Sequence, residues 1–252
     1  FDIKYIGSNL HLLYSCFNLT TSLESMKIFA FICTRTESLP DYTQQLVSYL
    51  SRCKIDVNLL VNKESIFDAY KEAVEGTLIN DNDIVIFCHD DIEILMDPQQ
   101  FINVLIKASR KTNSGFLGPA GTTHLSEDAV WWNQTMWAQQ KHKGFVLHGD
   151  TLSTSEYTFY GNPGRVVCLD GLFLAIAGKS LKKLNLDKPN YFEGGWDFYD
   201  IHYTTQAHKK GLYNTVEPIF ILHRSRGELV GRDSWHKNRI AFIEATSLPM
   251  SI

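Results

Sequence analysis

Apolar runs and helical spacings alternate through the first part of the chain. Ile28 to Cys33 is apolar at every position, as a strand buried on both faces requires. "SLPDYTQQLVSYLSRC" comes next. Pro40 suits a first helical turn, and Leu46, Tyr49, Leu50 and Cys53 recur at helical intervals. Val57 to Val61 reads as a second strand, and Ser65 to Glu75 as a helix with Phe67, Tyr70 and Val74 turned inward. Ile84 to Cys88 is a third strand, followed by a helix from Pro98 to Ala108. This alternation predicts βαβ units and an α/β fold with a central, mostly parallel sheet flanked by helices.

The pattern then loosens. From Gly115 to Gly164 the chain is rich in Gly, Trp and His, with "WWNQTMW" in its middle. Two apolar segments, Val166 to Leu169 and Leu172 to Ala177, are separated by Asp170-Gly171. A loop "KPNYFEGGWD", a helix from Phe198 to Lys210, two short strands ending at Leu222 and a last helix from Ser234 to Glu244 complete the reading. No repeat or linker divides this stretch. One domain is expected over residues 26–252, with a nucleotide-binding-like first half (26–95) and an irregular, aromatic second half (96–252). Met26 opens "MKIFAFICTR" like the start of a domain, so residues 1–25 read as an extension outside it.

Composition narrows the class. With 252 residues, 44% hydrophobic and 21% charged, the chain can bury a sizeable core. A net charge of -4 lacks the basic footprint of a nucleic-acid binder, yet leaves room for an acidic site holding a divalent cation. The five cysteines, Cys16, Cys33, Cys53, Cys88 and Cys168, form no C-x-x-C, and three lie in apolar runs. That favours a reducing compartment and a cytoplasmic location, with the sequons at Asn18 and Asn133 as chance matches. The first 25 residues fit a signal peptide poorly, and no apolar stretch reaches the roughly 20 residues of a membrane span. Peripheral membrane contact is left open.

Candidate chemistry collects at strand ends. Open parallel sheets bind ligands beyond the carboxyl ends of their strands. Cys33-Thr34-Arg35, Asn62 and His89-Asp90-Asp91 occupy three such ends, without a G-x-G-x-x-G or a P-loop lysine. Seen alone, His89-Asp90-Asp91 is a polar turn. Its spacing is also that of a D-x-D metal element with His in the first place. Oxygen ligands suit Mg2+ or Mn2+, the histidine tilts the choice to Mn2+, and Asp91 is the expected direct ligand. In "GWDFYDIHY", Asp197 and Asp200 are three apart and expected on one helix face, where one could orient the other as a general base. Acids also favour helix N-termini without any catalytic role. Gly194-Gly195 allows close approach of backbone to substrate, and Trp196 could stack on a sugar ring. Trp131, Trp132 and Trp137 fit a small satellite core, with acceptor binding as the second reading. Lys209, Lys210, Arg224 and Arg226 read as solvated faces, with a diphosphate contact from either arginine as the second reading.

Seven segments in order, "FAFICTR", "NKESIFDAYKEA", "IVIFCHDDIEI", "VVCLDGLFLAI", "WDFYDIHYTTQAHKKG", "FILHRS" and "SWHKNRIAFIEA", resemble a GT-A-fold glycosyltransferase of the family 2 type. The resemblance is to its branch with a His-Asp-Asp variant of the D-x-D motif. It implies a metal-dependent, inverting transfer from a nucleoside-diphosphate sugar, UDP-linked, to a hydroxyl of a glycan, lipid or protein, and makes residues 96–252 the acceptor and catalytic half. By the same resemblance Thr34 and Arg35 sit against base and phosphates, and Asn62 and Tyr70 flank or support the nucleoside. Asp90, Asp170 and Gly171 fall on the donor, and Glu193 and Trp196 on the acceptor. His223 joins His89 and Asp91 at the metal, and Asp200 aligns with the base ahead of Asp197. Two departures stand out: His89 where many relatives carry Asp, and His202 where an acid is frequent. Two rivals remain. A sugar-phosphate nucleotidyltransferase would carry glycines after the first strand, which "CTRTESLPDY" lacks. A non-catalytic nucleotide- or carbohydrate-binding module need not keep both Asp91 and Asp200.

Overall fold

The structure, a computed structural model, describes residues 26–225 and 233–252. The extension expected at residues 1–25, with Cys16 and Asn18, and also Arg226, lie outside the described residues. The first half follows its apolar pattern: β1 (Ile28–Thr34), α1 (Asp41–Arg52), β2 (Asp56–Val61), α2 (Ile66–Glu75) and β3 (Ile84–Cys88). Then come β4 (Ile92–Ile94), α3 (Pro98–Ser109) and β5 (Ser114–Gly118). Every residue of β1 and β3 is buried, which is why both read as unbroken apolar runs. Two of these helices have side-chain caps: the Ser65 hydroxyl accepts from the Asp68 N–H (3.2 Å) ahead of α2, and Asp97 accepts from the N–H groups of Gln99 and Gln100 ahead of α3.

The second half breaks into short strands. These are β6 (Ala120–Thr122), β7 (His124–Leu125), a short α4 (Gln134–Ala138), β8 (His142–His148), β9 (Glu156–Gly161), β10 (Gly164–Val166), β11 (Cys168–Leu169) and β12 (Phe173–Ala177). They are followed by α5 (Gly178–Leu181), α6 (Tyr199–Lys209), β13 (Tyr213–Val216), β14 (Ile221–His223), α7 (Asp233–Ala245) and β15 (Met250–Ser251).

The main sheet has seven strands in the order β10-β13-β5-β12-β3-β1-β2. Strands β2, β1, β3, β5 and β13 run one way, while β12 and β10 run the other. The sheet is therefore mixed, with β12 inserted antiparallel between β3 and β5. An apolar run announces burial but not direction, so this reversal is invisible in the pattern. A second sheet, β11-β6-β8-β14-β4 with β9 on β8, packs beside it, and β7 pairs with β15.

Candidate active site

Strand register builds the first cluster. β3 ends at Cys88, and β4 starts four residues later after the His89-Asp90-Asp91 turn. β14 pairs with β4 so that His223 stands opposite Ile92, and the Arg224 N–H donates to the Asp91 carbonyl (3.0 Å). This brings His223, far along the chain, onto the turn. His223 Nε2 lies 3.4 Å from both Asp91 Oδ1 and His89 Nδ1, and His89 Nδ1 is 3.8 Å from Asp91 Oδ1. Asp91 Oδ1 is buried and has no hydrogen-bond partner among the described residues. Three atoms on one ion at bonds of ~2.1 Å would be ~3.0–3.5 Å apart, close to what the chain already holds. Burial pushes the Asp91 carboxyl up, but His223 and then His89 outweigh it and hold it below the usual carboxylate range. Burial alone would lower His223, yet Asp91 and then Asp170 raise it above the ordinary imidazole value. Two imidazole nitrogens and a carboxylate oxygen thus form a group that could hold a metal ion.

Antiparallel pairing builds the second cluster. Phe173 of β12 stands opposite Cys88, and the His89 N–H donates to the Leu172 carbonyl (3.1 Å), so the Asp170-Gly171 turn lies beside His89. Asp170 Oδ1 accepts from the Leu172 N–H (3.1 Å). The first turn of α6 closes over this turn. Asp200 Oδ2 accepts from the Gly171 N–H (3.1 Å), and the Tyr199 hydroxyl donates to the Gly171 carbonyl (2.8 Å). A Cβ on Gly171 would come within 2.5 Å of Tyr199 Oη and 2.9 Å of Asp200 Cβ, so only glycine fits. Burial first, and the nearby Asp170 carboxylate second, push Asp200 up to about 7.

The two acids of "GWDFYD" do not share a helix face. Phe198 adopts a left-handed backbone (φ 67°) and α6 begins only at Tyr199, which leaves Asp197 before the helix. Asp197 is buried and accepts from the Ser234 hydroxyl (2.7 Å) at the start of α7. The acid facing Asp200 is Asp170. Nor does Gly195 open the backbone to a substrate. Its carbonyl accepts from the Ile66 N–H (2.8 Å), and a Cβ there would fall 2.3 Å from Ser65 Cβ, so the glycine is spent on packing against the start of α2. Gly194 (φ +65°) makes the adjoining turn in open space.

The other candidates scatter around these two clusters. Thr34 is buried at the end of β1, its carbonyl accepting from the Asn62 N–H (3.0 Å), and Arg35 beyond it is exposed. Asp90 is raised by burial and then by Asp91, and its carbonyl accepts from the Thr43 hydroxyl (3.0 Å). Tyr70, expected at an inner position of α2 in support of the nucleoside, is wholly buried, its ring 4.5 Å from Phe87 and 6.0 Å from Tyr199, so any support it gives the site comes from the core. Trp196 is exposed, and Glu193 is tied to α7 through Lys237 (2.8 Å) and Asn238. Trp131 is buried against Tyr160 and Trp132 packs on Trp235, which continues to Phe198 behind α6, whereas Trp137 is 42% exposed. His202 sits among Phe67, Phe192 and Tyr203, and burial, with Lys209, lowers it to about 4. Arg224 donates to Glu93 (2.6 Å) and to the Asp150 carbonyl, while Lys209 and Lys210 are exposed.

Sequence reasoning missed two neighbours. Tyr199 Oη lies 3.0 Å from His89 Nε2, and nothing in an aromatic before Asp200 announces it. His148 stands in register with His223 on the parallel strands β8 and β14, rings 5.7 Å apart. Here a signal exists: "FVLH" ending at His148 duplicates the form of "FILH" ending at His223.

The chain is similar to several solved proteins. The chain aligns over 87% of its length with GalNAc-T7, solved with UDP, GalNAc and Mn2+, at a TM-score of 0.54 and 12% identity, and spans 48% of that protein. A protein of STIV aligns at a TM-score of 0.47 and 13% identity, covering 79% of this chain and 86% of that one. The inositol-1-phosphate CTP transferase from T. maritima gives 0.37 and 9%, covering 85% and 96%. No curated protein matches the sequence. Residues 40–242, most of the chain, match the family described as "Glycosyltransferase like family". The chain belongs to this glycosyltransferase-like family, and the GT-A-type mixed α/β fold is the scaffold on which it carries the two clusters.

Proposed function

We propose that this glycosyltransferase moves a sugar from a UDP-linked donor to an acceptor hydroxyl, with inversion and with a divalent cation, and that residues 26–252 form one catalytic domain. The observation that carries the proposal is the meeting of two unlike clusters at Gly171. Asp91, His89 and His223 converge on one point, and Asp200 is held beside them at a pKa of about 7. A bound divalent cation would supply charge neutralisation for a departing diphosphate. Asp91 would be its carboxylate ligand, with His89 and His223 assisting. The imidazoles favour Mn2+ over Mg2+, and the GalNAc-T7 structure was solved with Mn2+.

Asp200 would take the proton of the acceptor hydroxyl. A carboxylate whose pKa lies near the working pH is ionised often enough to act and basic enough to accept. Asp197, engaged by Ser234, would shape the loop beneath it instead. Thr34, Arg35, Asn62 and Asp90 would line the donor, with Asp170 and Gly171 beside its sugar, and Trp196 and Glu193 would face the acceptor. The described cysteines are all free, which supports a reducing, cytoplasmic setting. No helix among the described residues is long and apolar enough to cross a membrane.

Calorimetry with UDP, with and without Mn2+, tests the reading. Metal-enhanced binding is expected. If no common nucleoside diphosphate binds more tightly with Mn2+, the metal-dependent reading fails.

A further inference from the structure

Tyr199 Oη lies between two groups, 3.0 Å from His89 Nε2 and 2.8 Å from the carbonyl oxygen of Gly171. A phenol carries one proton, and a carbonyl can only accept. The hydroxyl proton therefore belongs to Gly171, and toward His89 the same oxygen can only receive. An ordinary phenol keeps its proton below about pH 10. Were His89 Nε2 bare, it would compete with the Gly171 carbonyl for that single proton. We infer that Tyr199 is a positioning residue that fixes His89 in its Nε2–H tautomer and leaves the Nδ1 lone pair directed at Asp91 and His223.

The consequence lies on the far side of the ring. Nδ1 is the nitrogen 3.4 Å from His223 Nε2 and 3.8 Å from Asp91 Oδ1. A ligating histidine needs one ring nitrogen stripped of its proton and the other anchored, and the anchor selects the tautomer. Here the anchor is rigid. Tyr199 is buried, its ring 6.0 Å from Tyr70 and 6.3 Å from Tyr203, and its hydroxyl is tied to the Gly171 carbonyl. Consecutive residues of α6 also hold both backbone groups of Gly171, Tyr199 at its carbonyl and Asp200 at its N–H. One residue thus orders the cation ligand His89 while its neighbour is the proposed base. The purpose of this device rests on the metal reading above; the tautomer itself does not.

The experiment separates the two. Histidine side-chain nitrogen spectra are recorded on metal-free, 15N-labelled protein at about pH 8.5, about two units above the ordinary imidazole value, with His89 assigned from its loss in His89→Gln. The wild-type protein should show His89 protonated at Nε2. Tyr199→Phe, which keeps the ring, should shift His89 toward the Nδ1–H form and weaken Mn2+ binding in calorimetry by about tenfold or more. A wild-type His89 protonated at Nδ1, or an unchanged His89 tautomer in a folded Tyr199→Phe protein, would overturn the inference. If Tyr199→Phe fails to fold, the wild-type spectrum alone decides. Should the wild-type protein bind no Mn2+, the metal reading falls, and the tautomer is still settled by the spectra.

Discussion

The turn after β3 and the first turn of α6 each carry a carboxylate into the same space, on opposite electrostatic terms. Asp91 faces two histidines that hold it below the usual carboxylate range, and it raises His223 in return. Asp200 faces another acid, and burial with that repulsion lifts it to about 7. The first group could hold a cation. The second holds a proton loosely near neutrality, the property wanted of a group that takes one up during a reaction. The contrast has a cost on one side only. A carboxyl raised in the folded state binds its proton more tightly there than in the unfolded chain. Its contribution to stability is present in full below about pH 4, the unfolded value, and is lost as pH rises toward about 7.

The largest effect is expected from breaking the second group. Asp200→Asn keeps an oxygen for the Gly171 N–H but cannot take a proton. Transfer should fall by about 100- to 10,000-fold, with UDP binding unchanged in calorimetry. The same variant should be more stable than wild type at pH 8, on the order of 2 kcal/mol by denaturant unfolding, because a strained charge is gone. Asp197→Asn should behave in the opposite way, retaining most of its transfer and losing stability as the Ser234 contact weakens. A fully active Asp200→Asn beside a dead Asp197→Asn would reverse the assignment of the base.

Breaking the first group should cost less. Asp91→Asn removes the one carboxylate among the three candidate ligands, and the Mn2+-dependent part of UDP binding should weaken by about 10- to 100-fold. Metal-independent UDP binding should stay as it was. Equal enhancement by Mn2+ in the variant and the wild type would remove Asp91 from the ligand set.

The two groups were unequally legible in the sequence, for physical reasons. His89-Asp90-Asp91 ends a strand buried on both faces, and such strands write themselves as apolar runs with a polar stop. His223 ends a strand too, and the repeated Phe-x-Leu-His at His148 and His223 even marks two neighbours in one sheet. The Asp170 and Asp200 pair carries no such mark. It depends on β12 running antiparallel to β3, which sets the Asp170-Gly171 turn beside His89, and on α6 starting at Tyr199. A single left-handed residue, Phe198, turns an apparent i, i+3 pair into a loop acid and a helix acid, and no periodicity reports one backbone angle.

The smallest effect is the one that tests the contrast itself. If repulsion from Asp170 contributes to the raised pKa of Asp200, Asp170→Asn should move the acidic limb of the pH–rate profile to lower pH. The wild-type limb should lie at about 7, with rate rising as Asp200 loses its proton. The shift should be partial, because burial is the larger cause and the variant leaves it in place. The amide oxygen of the substituted side chain can still accept from the Leu172 N–H, so the turn beside His89 should persist. A displacement of about one unit, with the limb still above the ordinary carboxylate range, is the expected reading of kcat/KM against pH, which reports the free enzyme. A limb that stays put would mean that burial alone tunes the base, and that the like-charge pair is an accident of packing.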